Sequence, residues 1–148
     1  MRRPTILKNG IYHIYNRGVS KRRIFQSDKD YRFFLYKLFY YRQKYSIKIA
    51  SYCLMPNHFH LLLQSTKKSE NVAMFMKGLQ LSYAFYFNKT YKHSGHVFES
   101  SYKNKTITSL AHFIKIMEYI EMNPVRKKLV SKPEDWPYSG RPDVILTE

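Results

Sequence analysis

Two apolar runs joined by only two residues constrain this chain more than any other feature. Ile47–Met55 and His58–Gln64 each have the length and content of a strand, and only Pro56 and Asn57 separate them. Parallel neighbours need a crossover of about a dozen residues, so strands this close must pair antiparallel, as a hairpin. Helical patterns surround that hairpin. Ser27 and Asp28 can cap a helix whose Tyr31, Phe34, Leu35, Leu38 and Tyr45 keep helical spacing. A second helix is expected from about Asn71 to Asn88. A third starts at Thr108 or Ser109 and runs to Asn123, where Pro124 is expected to stop it. Gly10–Val19 reads as a first strand, Gly95–Thr106 as a loop with a short strand, and Val125–Glu148 as an irregular tail. Strands interspersed with helices, one pair being antiparallel, define an α+β fold with an antiparallel or mixed sheet. No repeat, low-complexity tract or linker interrupts the 148 residues, so a single domain over 1–148 is expected.

Charge narrows the partner. Lys and Arg number 26 against 10 Asp and Glu, a net charge of +16. Self-repulsion at that level calls for a polyanion, nucleic acid ahead of an anionic membrane surface. The 14 Tyr and 10 Phe mostly fill a core, yet planar rings among cations suit single strands, whose bases stack on aromatics. Cys53 is the lone cysteine, which excludes an internal disulfide and a Cys-rich zinc site; its apolar surroundings predict a buried, inert thiol. No apolar run approaches the ~18–20 residues that span a bilayer, and Met1-Arg2-Arg3-Pro4 lacks a signal-type region. A cytoplasmic protein without a membrane partner is expected. No phosphate-binding loop of the Gly-x-x-x-x-Gly-Lys-Ser/Thr kind is present.

His58-Phe59-His60 carries the sharpest chemistry. Side chains two apart on a strand share a face, so the imidazoles point together while Phe59, Leu61 and Leu63 point into a core. Two imidazoles are half of a divalent-metal site. The pair alone leaves two structural histidines as the commoner reading, and a third ligand is needed. The third helix offers one. Leu110, Phe113, Ile114, Met117 and Ile120 form an apolar stripe, and Tyr119 lies almost opposite it. His112 and Asn123 fall close to Tyr119 on the wheel. Tyr119 is therefore either a solvated tyrosine or a working one. Glu121 falls inside the apolar arc, so either the last turn unwinds or the pattern is imperfect there. Tyr119 and Asn123 sit one turn apart, a spacing that can put a phenol and an amide oxygen beside one metal. A phenol of pKa about 10 is a poor nucleophile at neutral pH unless a cation neutralises the target phosphate.

Leu54-Met55-Pro56-Asn57-His58-Phe59-His60-Leu61-Leu62, then Tyr119-Ile120-Glu121-Met122-Asn123-Pro124-Val125-Arg126, then Trp136-Pro137-Tyr138-Ser139, resembles the single-tyrosine transposases of the His-hydrophobic-His superfamily. Within that group the chain is most similar to the REP-associated tyrosine transposases, relatives of the insertion-sequence transposases. The likeness runs from about Tyr12 to Ser139. It implies a ferredoxin-like domain with a central antiparallel sheet, a metal (Mg²⁺ or Mn²⁺) on His58, His60 and Asn123, and Tyr119 as the nucleophile. That nucleophile would become linked to a 5′ phosphate of single-stranded, hairpin-forming DNA. A homodimer is compatible with the resemblance, and so is a monomer. Relatives commonly carry Gln and Arg where this chain has Glu99 and Ser101, a departure that bears on DNA contacts in that loop.

Candidate phosphate contacts are Arg17, Lys21, Arg22, Arg23, Lys103, Lys105, Arg126, Lys127 and Lys128. His13 and His112 can line the site, though each reads first as structural or merely exposed. Ligating imidazoles must be neutral, so activity is expected to fall as pH drops toward ~6. The rival readings are a catalytically silent module that only binds DNA, and a phosphoesterase that uses metal-activated water.

Overall fold

The computed structural model describes residues 10–68 and 70–145, so the N-terminal residues that argued against a signal segment lie outside it. The chain runs β1 (Ile11–Arg17), α1 (Asp28–Lys44), β2 (Ile47–Met55), β3 (His58–Ser65), α2 (Glu70–Tyr91), β4 (Lys103–Thr106), α3 (Leu110–Arg126) and β5 (Ser139–Gly140), with short 3-10 turns at Val19–Lys21 and Pro133–Asp135. The sheet order is β4-β1-β3-β2-β5, and every neighbouring pair is antiparallel. The hairpin forms as expected: Met55 faces His58 across the Pro56-Asn57 turn. β1-α1-β2-β3-α2-β4 in that order is the split βαβ arrangement of ferredoxin-like domains.

Two cores sandwich the sheet. On one face Phe34 and Leu38 of α1 meet Phe75, Leu79 and Tyr83 of α2 over Ile14, Phe59, Leu61 and Leu63. On the other, Phe113 and Ile120 of α3 cover Cys53, Met55 and Leu62. Each such side chain contributes about 1.5–3 kcal/mol by leaving water. β2 serves both cores through a register shift between Ile49 and Ser51. Ile47 and Ile49 pack under α1 and α2, and after the extra residue Ala50 the odd positions Cys53 and Met55 pack under α3.

Three expectations need correction. Ser27 occupies the N-cap of α1 but its side chain makes no cap bond, whereas Ser109 caps α3 by accepting from the His112 amide. Pro124 does not stop α3, which continues to Arg126. Proline removes the donor that would bond the Ile120 carbonyl and strains that turn, a local cost that burial of Pro124 offsets. The tail is not simply irregular. Trp136 donates its indole N–H to the Leu54 carbonyl at 2.9 Å, the Leu54 amide bonds the Tyr138 carbonyl at 2.9 Å, and Tyr138 stacks on Tyr31 at 3.8 Å. These bonds seat β5 on the edge of β2. Among the described residues no helix is long and apolar enough to cross a membrane.

Candidate functional site

Polar groups gather on the α3 face of the sheet. Directly opposed residues share a face, so Arg17 stands beside His58 and Tyr15 beside His60. β4 adds Lys103 opposite Tyr15 and Lys105 opposite His13. α3 crosses this face and is rotated from the predicted stripe. Phe113, Ile120, Asn123 and Pro124 are buried, while Leu110 and Ile114 are 54% and 49% exposed. The wheel maximised apolar content; the protein turns the Asn123 amide inward instead. Glu121 keeps its place in the half-buried arc because the Arg141 guanidinium pairs with it at 2.7 Å.

A cleft of about 550 Å³ results, and His58, His60, Tyr119 and Asn123 all line it. The two imidazole rings lie 5.1 Å apart and nearly perpendicular, and the Tyr119 ring lies 5.7 Å from that of His60. Asn57 turns back to accept from His58 Nδ1 at 2.7 Å, which leaves Nε2 unprotonated and facing the Asn123 amide at 3.4 Å. His60 Nδ1 meets His13 Nε2 at 2.9 Å. When His60 donates that proton, its own Nε2 is free as a lone pair. His13, expected as a structural or exposed residue, is thus buried and bonded to His60. His112 instead takes the Thr108 amide at the start of α3. Sequence reading missed the His13 bond because its partner lies 47 residues away; the alternation His13-x-Tyr15-x-Arg17 was the available signal.

Burial is the first cause of the imidazoles' acidity. It holds His13 and His58 down to about 4 and His60 to about 2, helped by Lys105 at His13, Lys127 at His58 and the neighbouring imidazoles at His60. The rings are therefore neutral well below pH 6, which moves the expected acid limit on ligation downward. Neutral nitrogens, with a side-chain amide at 3.4 Å from one of them, fit a divalent ion that tolerates mixed nitrogen and oxygen ligands. Among the described residues no group of three or more His, Cys, Asp or Glu is placed to hold a metal ion, so any ion here would rest on the imidazole pair and the Asn123 amide. Burial also pushes the Cys53 thiol up to about 12, as an inert thiol requires.

Tyr119 is 46% exposed at the cleft, with the Arg126 guanidinium 4.1 Å above its ring and bonded to its carbonyl oxygen at 2.8 Å. Of the other candidate cations, Arg17, Lys21, Lys103 and Lys127 line the same cleft, and Lys105 lies 5.7 Å from the Tyr15 ring. Arg22 and Arg23 line a separate cleft, and Lys128 lines neither. Arg17 is held by the departing residue: its Nε and NH2 groups donate to the Glu99 carboxylate at 2.6 and 2.9 Å.

A cationic cleft that combines a neutral imidazole pair, an inward amide and an exposed phenol has groups that can attract a phosphodiester and bring a hydroxyl near it. The chain belongs to the IS200-like transposase family, whose sequence pattern matches residues 7–123. It is similar to a Haemophilus influenzae protein assigned as a REP-associated tyrosine transposase, with 27% identity over 108 residues, 66% of this chain and 61% of the relative. The chain thus spans about six-tenths of the length of that relative. Its fold matches a REP-associated tyrosine transposase solved with a REP hairpin, with a TM-score of 0.77, 14% identity, and coverage of 94% of this chain and 81% of the other. It also matches a Deinococcus radiodurans protein assigned as a transposase, with a TM-score of 0.55, 20% identity, and coverage of 82% and 96%.

Proposed function

We propose that this protein cuts and rejoins single-stranded DNA next to hairpins, through a covalent bond between Tyr119 and a 5′ phosphate. The observation that carries the reading is the meeting of Tyr119 with His58, His60 and Asn123 in one cleft of a single chain. Those three side chains would hold Mg²⁺ or Mn²⁺, which supplies charge neutralisation at the scissile phosphate. Lys21, Lys103 and Lys127 bind the flanking phosphates, while Arg17 stays paired with Glu99. Arg126 fixes the Tyr119 ring and backbone at the mouth of the cleft. The Tyr119 oxygen bonds to phosphorus and releases its proton to solvent, while the phosphorus–O3′ bond breaks and the 3′ oxygen takes a proton from water. The phosphotyrosine keeps the energy of the phosphodiester, and attack by a 3′ hydroxyl restores the phenol. The 5.7 Å between Tyr119 and His60 supports action within one chain, and a homodimer is not needed to complete the cleft.

The test is incubation of labelled hairpin DNA bearing a single-stranded extension with Mn²⁺, beside a Tyr119→Phe control, on a denaturing gel. A protein-linked band that disappears in the control and with chelator is expected. Salt-sensitive binding without an adduct, across varied hairpins, would establish the silent binding module instead. Cleavage without an adduct, retained in Tyr119→Phe, would establish hydrolysis by activated water.

A further inference from the structure

The residues left outside the catalytic cleft form a second one. Arg22 and Arg23 line a cleft of about 390 Å³ together with Phe87, Tyr91, His93 and His96, within the roughly 300–1,000 Å³ typical of small-ligand sites. Among the described residues no carboxylate lines it. Asp30, which bonds the lining residues Gln26 and Tyr91, is buried and occupied by the hydroxyls of Tyr86 and Tyr91 and by the Gln26 amide. Asn88 fixes the chemistry of one wall. Its Nδ2 donates to the Gly95 carbonyl at 3.1 Å, so its Oδ1 accepts from His93 Nδ1 at 2.7 Å and leaves His93 Nε2 as an acceptor while the ring is neutral.

The two clefts share a partition. Residues 18–23 form a loop pinned to the 97–99 segment: the Val19 amide bonds the Val97 carbonyl at 3.0 Å, and Gly18 bridges Phe98. Ser20 and Lys21 both hold positive φ, 54° and 61°, which turns consecutive side chains to different sides. Lys21 lines the catalytic cleft and Arg22, the next residue, lines the second. Lys21 and Arg22 are adjacent in the chain, so the two clefts border one another across this loop.

We propose that this second cleft takes one uncut nucleotide of the DNA: its base against the half-buried Tyr91 ring, which the buried Phe87 backs at 4.9 Å, and its phosphate on the exposed Arg22 and Arg23. Rings supply sequence-tolerant stacking, guanidiniums supply forked donors for phosphate oxygens, and the His93 acceptor adds an edge that a base N–H can find. The inference rests on the DNA reading above.

The test is an abasic scan. Labelled hairpins, each with one abasic site in the single-stranded extension, are titrated in chelator so that no cutting intervenes. Wild type is compared with Arg22→Ala/Arg23→Ala and with His96→Ala, exposed residues whose loss leaves the core intact. One position should lose about tenfold in wild type, the size expected for one stacked base, and that loss should shrink to about twofold or less in the variants. Variants that weaken every hairpin equally, with an unchanged scan, would reduce the cleft to dispersed phosphate contacts and overturn the proposal; so would a flat scan in wild type. A free deoxynucleoside monophosphate that erased the positional loss at micromolar concentration would assign the cleft to a soluble nucleotide instead. Absence of any salt-sensitive hairpin binding by wild type would remove the DNA reading itself, a result distinct from all of these.

Discussion

Replacing Glu99 by Gln isolates the negative charge that this chain places in the cleft lined by His58, His60 and Tyr119. The Glu99 carboxylate takes both forks of Arg17, at 2.6 and 2.9 Å, with the two side chains 40% and 44% exposed. The Arg17 hydrogen bond holds the carboxyl below its usual range, so the pair stays ionised near neutrality. Exposed pairs of this kind add little to stability, and Glu99→Gln should leave the thermal midpoint where it was. DNA binding should change more. A phosphate reaching Arg17 now competes with a carboxylate; with Gln it competes with a neutral amide. Each phosphate contact on a single strand adds about 0.7 to the slope of log affinity against log salt. One freed guanidinium should therefore steepen the slope by about 0.7, equivalent to about 2.5-fold more loss over a fourfold rise in salt. Anisotropy titrations of a hairpin at 50, 100 and 200 mM salt would read this. An unchanged slope with unchanged affinity would refute the reasoning, because Arg17 would then be no phosphate contact at all.

Acid should weaken the metal-free protein in a defined window. His13, His58 and His60 take up protons in the unfolded chain at about 6.5, yet in the fold two are held to about 4 and the third to about 2. The unfolded state therefore binds more protons, and stability falls as pH drops from about 6.5 toward 4, by at most about 1.4 kcal/mol per pH unit for each ring. Urea midpoints in chelator at pH 7, 6 and 5 should decline, and His13→Gln should flatten the decline; a level profile would contradict the burial argument. Gly18→Ala should destabilise by about 1–3 kcal/mol, several degrees in thermal midpoint, because the new Cβ would meet the Arg22 carbonyl oxygen at 2.2 Å and Ile24 Cγ2 at 3.0 Å. A wild-type midpoint in that variant would mean that the 18–23 loop yields freely.

What sequence could reveal was local. The Pro56-Asn57 turn, the His58-x-His60 face and the one-turn spacing of Tyr119 and Asn123 each depend on neighbours within a few residues, and each stands as read. The misses depend on distant partners. Nothing near His13 announces His60, nothing near Arg17 announces Glu99 82 residues away, and nothing near Trp136 announces the Leu54 carbonyl. α3 failed on a different ground: an apolar wheel assumes that helices bury grease, and this one buries Asn123 at the expense of Leu110 and Ile114.

The single surplus residue at Ala50 divides the ways in which this protein can change. Upstream of it Ile47 and Ile49 feed one core; downstream Cys53 and Met55 feed the other and lie opposite His60 and His58. A substitution anywhere in β2 alters one side chain and leaves that division standing. Removal of Ala50 would turn one end of the strand over, sending two isoleucines toward the α3 side or two of its supports away from the histidines. Drift by replacement is open along β2, while shortening it by one residue is closed.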